Sequence, residues 1–567
     1  MRRTVLAALG LLLALSAPSA LPASAQARPG PAGPHGMVVA ANPLAAKAGL
    51  DVLKAGGDAA DAAVAIQAVL GLVEPQSSGV GGGAFMTFYD AATHKVTAYN
   101  GREAAPAAAG PDYFLKPDGT PMGFFDAVLS GKSSGPPGAI ALLGLVQQQH
   151  GRKPWASLFG EAERMADDGF VVSPRLAGMI AGPAPQAQAP DIVAYFTKPD
   201  GSRMTAGDVL KNPAYARTLR ALAAGGPRAL YEGPLAADIA ARVQRDPGGV
   251  LTADDIKAYH AKATPALCRP YRIYVVCVPP SPAGGPAILE MLGLLQRTDI
   301  DTRGPNDPKA WFEMIQAMRL TYADRDRWLG DPAFVDEPVA GLLSPAYLDA
   351  RARLIGETAG PAPQAGTPPG APGAGADATR EAGGTSHFVV VDRWGNVASM
   401  TTSVENIFGS GRMVDGFVLN NQLTDFSFMP VDRQGRPAAN RVQAGKRPRS
   451  AMSPVIVLDR QGRFFAALGS PGGPAILAYN LKTLVGVLDW KLTMQQAIAL
   501  PNVVAIGDRY GAETDALAPG VVAGLAARGV TLGPAQGEDS GLHGVMRRGS
   551  GLEGGADPRR EGVVLSF

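Results

Sequence analysis

The residues best suited to chemistry in this sequence lie at Gly384-Thr385-Ser386-His387, where a stretch with little to bury gives way abruptly to strand-like sequence. A threonine hydroxyl is a weak nucleophile unless a base adjoins it. One solution is to make the threonine N-terminal, so that its own α-amine takes the proton. Cutting the Gly384-Thr385 bond would create that amine, although the same three residues after the bond also describe an ordinary strand threonine. No rival apparatus is apparent. The 6 histidines are scattered, the GxSxG and HExxH patterns are absent, and Gly469-Ser470-Pro471-Gly472 lacks the spacing of a nucleophile elbow.

The elements around this site follow from pattern. Thr385 opens a strand running to Asp392, Arg393-Trp394-Gly395-Asn396 supplies turn residues, and a second strand runs from 397 to about 404. Folding that hairpin about Trp394 brings residue 385 opposite 403 or 404. Ser403 thereby gains a route to the Thr385 hydroxyl, since directly opposed Cβ atoms lie roughly 4.5 to 5.5 Å apart. Upstream, residues 357–384 are rich in Pro, Gly and Ala and are expected to form a flexible surface segment, either a plain linker or the carrier of a cleavable bond. Nearer the N terminus, GMVVAANPLAAKAGLDVLKAGGDAADAAVAIQAVLGLVEP reads as a short strand and two alanine-rich helices. Glycines 79 and 81–83 follow, then the strand-like FMTFYD. That order is the reverse of a dinucleotide fingerprint, which needs strand, glycines and then helix, so these glycines are expected to let backbones pass closely. Residues 138–350 read as mainly helical, with amphipathic stretches near 139–149, 155–168, 207–224, 234–244, 285–296 and 308–329.

Taken in order, GGDAADAAVA, GVGGGAF, NGREAAP, DGFVVSP, TYADRDRWLGDPAFV, GTSHFVVVDRWGNV, LNNQLTDFS, KRPRSAMSP, LGSPGG and GGADPRR resemble the gamma-glutamyltransferase (gamma-glutamyltranspeptidase, glutathione hydrolase) family of N-terminal nucleophile hydrolases. The resemblance implies an α+β fold, a four-layer αββα sandwich. It also implies a precursor that cuts itself into a large chain, 26–384, and a small catalytic chain, 385–567, which stay together as a heterodimer. Thr385 would be the nucleophile and its α-amine the base, with Ser403 supporting the hydroxyl where the family usually has another threonine. Gly472 and Gly473 would offer backbone N–H groups to the developing oxyanion. Arg102 aligns with the arginine that grips the substrate α-carboxylate, a task suited to a bidentate guanidinium. Gln422 and Asp425 align with residues around the α-ammonium, and Glu405 takes a place held by an amide or a carboxylate. Ser450 matches a serine that helps bind the α-carboxylate, but Ala451 stands where typical members have a second serine. That removes a donor to a charged group, a contact contributing roughly 1.5 to 3 kcal/mol. Residues 429–445 correspond to a lid in members that have one.

The implied activity is hydrolysis or transfer of γ-glutamyl amides such as glutathione through a γ-glutamyl-threonine ester, passed to water or an amino-acid or peptide acceptor, with no cofactor and no metal. Ala451 keeps open a related amidase on the same scaffold, such as a cephalosporin (glutaryl) acylase or an oxamate amidohydrolase. A binding protein using Arg102 and Asp425 without chemistry is the non-enzymatic alternative.

Composition agrees with a small-molecule enzyme. Of 567 residues 46% are hydrophobic and 18% charged, enough apolar material for a large core. With 52 Lys and Arg against 50 Asp and Glu, no electrostatic footprint for nucleic acid or an anionic membrane is visible. Residues 1–25 combine Arg2 and Arg3, an apolar run and Ala23-Ser24-Ala25, the pattern of a signal peptide that leads to the periplasm or the exterior. Cys268 and Cys277 either bridge the arms of a hairpin or remain two buried thiols.

Overall fold

The computed structural model describes residues 36–377, 381, 383–535, 537 and 539–567. The expected signal peptide at 1–25 lies outside them.

Two antiparallel sheets face each other at the centre. The first has the order Val563–Ser566, Met37–Ala40, Thr385–Val391, Val397–Ser403, Gly83–Asp90, Lys95–Gly101 and Lys262–Pro265. The second runs Gly551–Ala556, His543–Arg548, Phe464–Gly469, Val455–Leu458, Tyr274–Val278 and Leu267–Tyr271. Strand periodicity assigns their faces, because successive side chains point to opposite sides. Met37, Val39, Val389 and Val391 meet Ile456, Ala467 and Val545 between the sheets. Their neighbours Val38, Ala40, Phe388 and Val390 point the other way, into a core shared with the helices Pro43–Lys54, Ala59–Val73 and Ala139–His150. On the far side Val276, Val455, Val457 and Leu468 pack against Gly285–Leu295, Pro308–Trp328 and Ile476–Leu488. The result is four layers in the order α, β, β, α, as the family resemblance implied.

Local chemistry explains the parts nearest the site. Helix Ala59–Val73 is capped by Asp58, whose carboxylate accepts from the N–H groups of Ala60 and Asp61, both at 3.0 Å. Its alanines leave room for close contact with the preceding helix. The glycine run then passes beneath the hairpin. A Cβ on Gly82 would stand 2.2 Å from the Ser403 carbonyl oxygen, and one on Gly81 would stand 2.1 Å from that of Val418. Close backbone passage is thus the use these glycines serve. Cys268 and Cys277 face each other across the hairpin Leu267–Tyr271/Tyr274–Val278 and are joined as a disulfide.

Candidate active site

The hairpin register pairs Thr385 with Ser403, Ser386 with Thr402 and His387 with Thr401. From this pairing comes a short hydroxyl relay. Thr385 Oγ1 donates to Ser403 Oγ at 3.0 Å, and Ser403 Oγ donates to the carbonyl oxygen of Gly384 at 3.1 Å. The backbone N–H of Glu405 donates to the same serine oxygen at 2.8 Å and fixes its orientation. Ser403 therefore touches both the candidate nucleophile and the carbonyl of the bond before it, an arrangement that can polarise that carbonyl.

The strand start is held on its other sides too. Arg560 donates to the Thr385 carbonyl at 3.1 Å, and Ser386 donates to the buried Glu74 at 2.8 Å. Burial pushes the Glu74 carboxyl up. His387 is bonded to Thr401 at 2.9 Å, and burial drives it well below the usual histidine range, so it stays neutral. Strand Phe464–Gly469 crosses its ring so closely that a Cβ on Gly469 would stand 2.3 Å from His387 Cε1.

After that strand comes the turn bearing Gly472 and Gly473, with φ of +133° and +56°. A Cβ on Gly472 would meet Tyr479 Cε2 at 2.5 Å. Tyr322, on helix Pro308–Trp328, donates to the Pro474 carbonyl and pins the turn. Gly473 lines a cavity together with Glu381, Thr385, Glu405, Asp425, Ser450, Ala451, Met452 and Ile476.

Arg102 follows strand Lys95–Gly101 and is fully buried behind this cavity. It donates to Gln422 Oε1 and Asp425 Oδ2, to the Pro448 carbonyl at 3.1 Å and to the Arg449 carbonyl at 3.0 Å, while Glu405 stands 3.7 Å away. Gln422 spends its other end on the Ser403 carbonyl at 3.1 Å and so links Arg102 to the hairpin. Asp425 has one oxygen on Arg102, whereas Oδ1 is buried with no hydrogen-bond partner among the described residues. Burial, then the Asp425 charge, pushes Glu405 well above the ordinary carboxylate range. Ser450 accepts from the N–H of Met452 at 3.1 Å. Beside Arg102, Glu103 is fully buried with neither oxygen partnered among the described residues, and burial pushes it up to about 8.

The structure thus gathers Thr385, Ser403, Gly473, Glu405, Asp425 and Ser450 around one cavity or in contact with its walls, with Gly472 in the adjoining turn and Arg102 and Gln422 one layer behind. Sequence reasoning assigned no role to Glu381, Arg325, Arg449 or Arg560. All three arginines stood in quoted motifs, TYADRDRWLGDPAFV, KRPRSAMSP and GGADPRR, and that placement was the signal available.

Comparison with known proteins gives concordant results. The family model described as gamma-glutamyltranspeptidase matches residues 45–567. The glutathione hydrolase proenzyme of Bacillus subtilis (strain 168) is 35% identical over 482 residues, covering 83% of this chain and 81% of that protein. The glutathione hydrolase proenzyme of Escherichia coli (strain K12) is 34% identical, covering 82% of this chain and 80% of its own length. The crystal structure of cephalosporin acylase from Bacillus halodurans superposes with a TM-score of 0.85 at 26% identity, covering 98% of this chain and 99% of the acylase.

Proposed function

The chain belongs to the gamma-glutamyltranspeptidase family, and from that premise we propose that it is a self-cleaving hydrolase and transferase of γ-glutamyl amides whose nucleophile is Thr385. The observation that carries this reading is the hydroxyl relay from Thr385 through Ser403 to the Gly384 carbonyl.

In the precursor, Thr385 Oγ attacks the Gly384 carbonyl carbon. The C–N bond breaks, the hydroxyl proton passes to the departing Thr385 nitrogen, and an ester joins Gly384 to Thr385 Oγ. Water hydrolyses that ester, leaving a Gly384 carboxylate and a free Thr385 α-amine. Each turnover then repeats the chemistry on a substrate. The α-amine takes the hydroxyl proton, Oγ attacks the γ-carbonyl, and the proton goes to the leaving amine. The Gly472 and Gly473 N–H groups stabilise the oxyanion. Water releases glutamate, and an amino-acid or peptide amine gives transfer instead. Glu405, Asp425 and Ser450 line the head-group end of the pocket, Arg102 and Gln422 brace it from the layer behind, and the unpartnered oxygen of Asp425 is available to an α-ammonium. The large and small chains, 26–384 and 385–567, remain together as a heterodimer. The Cys268–Cys277 disulfide and the N-terminal signal pattern support an extracytoplasmic location. No helix among the described residues is long and apolar enough to cross a membrane.

Ala451 on the cavity wall favours a second reading, an amidase whose acyl group lacks part of the glutamate head, as the likeness to the cephalosporin acylase allows. Denaturing electrophoresis and a substrate panel test both. Wild-type protein is expected to run as two bands and Thr385→Ala as one. γ-Glutamyl amides are expected to react faster than glutaryl or oxamate amides, and the reverse order would select the second reading.

A further inference from the structure

The catalytic wall is tied to a loop, residues 280–284, that has a second use. The Ser450 N–H donates to the Pro282 carbonyl at 2.8 Å, and the Gly284 N–H donates to the Met452 carbonyl at 2.9 Å. The same loop borders a cleft of about 390 Å³, against about 10 Å³ for the cavity at Thr385, and the two share no lining residue. A space of several hundred cubic ångströms is ligand-sized. Its opposite side is the stretch 332–339, which follows helix Pro308–Trp328.

The lining selects a chemistry. Leu267, Pro286, Val335 and Val339 give apolar sides, the polar groups are Ser281, Asp336 and Glu337, and no Lys, Arg or His lines the cleft. Ser281 is only 7% exposed, and its Oγ reaches hydrogen-bond geometry with none of the described residues. An orphaned buried hydroxyl costs free energy until something pairs with it. Glu337 accepts from the Gly330 N–H through Oε1, which leaves its other oxygen for a ligand. Burial pushes the Glu337 carboxyl up to about 7. Lys446, the cation that acts on it from outside the cleft, spends its Nζ on the Ala439 carbonyl at 2.6 Å and on Gln443 Oε1 at 3.2 Å. Two acids and a free hydroxyl at one cleft, with no base among them, complement a cation.

We propose that this cleft is a second ligand site, separate from the catalytic cavity, for a small apolar molecule carrying one ammonium group. The ammonium donates to Glu337 and Ser281 with Asp336 beside it, and the apolar body lies against Leu267, Val335 and Val339. Amino acids are disfavoured, because their carboxylate would enter among acids with no base to meet it. The site requires nothing of Thr385 and stands whether or not that residue is the nucleophile.

Calorimetric titration with N,N-dimethyl-2-phenylethylamine tests this, since a tertiary amine cannot serve as an acyl acceptor. Wild-type protein is expected to bind it, and to bind 3-phenylpropionate, which has a similar apolar body and the opposite charge, at least about tenfold more weakly. Glu337→Gln should weaken amine binding by about tenfold, the scale of one charge-assisted contact. Because Glu337 also braces Gly330, two further variants guard against a folding defect. Asp336→Asn, at an exposed position, should weaken binding by about threefold, and Leu267→Trp, which fills the cleft from a half-buried strand position, should abolish it. Both should keep wild-type turnover. Equal affinity for the amine and the acid, undiminished binding in Leu267→Trp, or no binding by wild type would overturn the site.

Discussion

At the scale of single residues, Ser403 and Ala451 make the sharpest predictions. Ser403→Ala removes the hydroxyl that joins Thr385 to the Gly384 carbonyl. A hydrogen bond of that kind is worth about 1 kcal/mol net, so self-cleavage and turnover should both slow by roughly fivefold, read from band intensities over time and from kcat. Ser403→Thr should keep most of both rates. Ala451→Ser restores a donor on the cavity wall and should lower KM for γ-glutamyl amides by about tenfold, leaving donors without a carboxylate unchanged. Glu103 gives a pH signature. Its folded value of about 8 exceeds its unfolded value of 4.5, so its contribution to stability is complete below 4.5 and is lost as pH rises through 8. Glu103→Gln cannot titrate, and the melting-temperature advantage of the variant over wild type should widen between those limits and then level off. Thr385 and Ser403 were legible because a hairpin has a period of two and its turn fixes the register. The partners of Arg102 were not, since Gln422, Asp425 and two carbonyls reach it from chain segments more than 300 residues away.

At the scale of elements, the turn after strand Phe464–Gly469 is the part most dependent on backbone shape. Gly472 combines a φ of +133° with a ring carbon 2.5 Å from where its Cβ would be. Gly472→Ala should therefore displace the oxyanion donors and lower kcat by about 10²-fold, with a much smaller change in KM. Near-normal kcat would show that these N–H groups do not meet the developing charge. Sequence pattern placed the helices well, as the amphipathic stretch at 308–329 and the helix Pro308–Trp328 illustrate. It could not place the segment before the cut. Composition there offers little to bury, and indeed residues 357–377 form no helix or strand. Yet Asp377 and Glu381 dock by ion pairs on buried arginines, and hydrophobic periodicity carries no trace of such anchoring.

At the scale of the whole molecule, both central sheets are stitched from the two sides of the cut. The hairpin Thr385–Val391/Val397–Ser403 is inserted between Met37–Ala40 and Gly83–Asp90, and Val455–Leu458 pairs with Tyr274–Val278. Cleaved protein should accordingly elute from a sizing column as one species containing both chains and separate only in denaturant. Cys268 and Cys277 both precede residue 385, so reducing and non-reducing denaturing gels should show the same two bands. Fold class was readable at this scale because ordered motifs span nearly the whole chain. The interlacing of its two parts was not, because strand order across a sheet leaves no mark on local pattern. The interlaced sheets also bear on biosynthesis. Halves made as separate polypeptides would each expose open strand edges, a template for aggregation, and would have to find one another by diffusion. A single covalent precursor supplies each half at high effective concentration to the other, so assembly is finished before the link is spent.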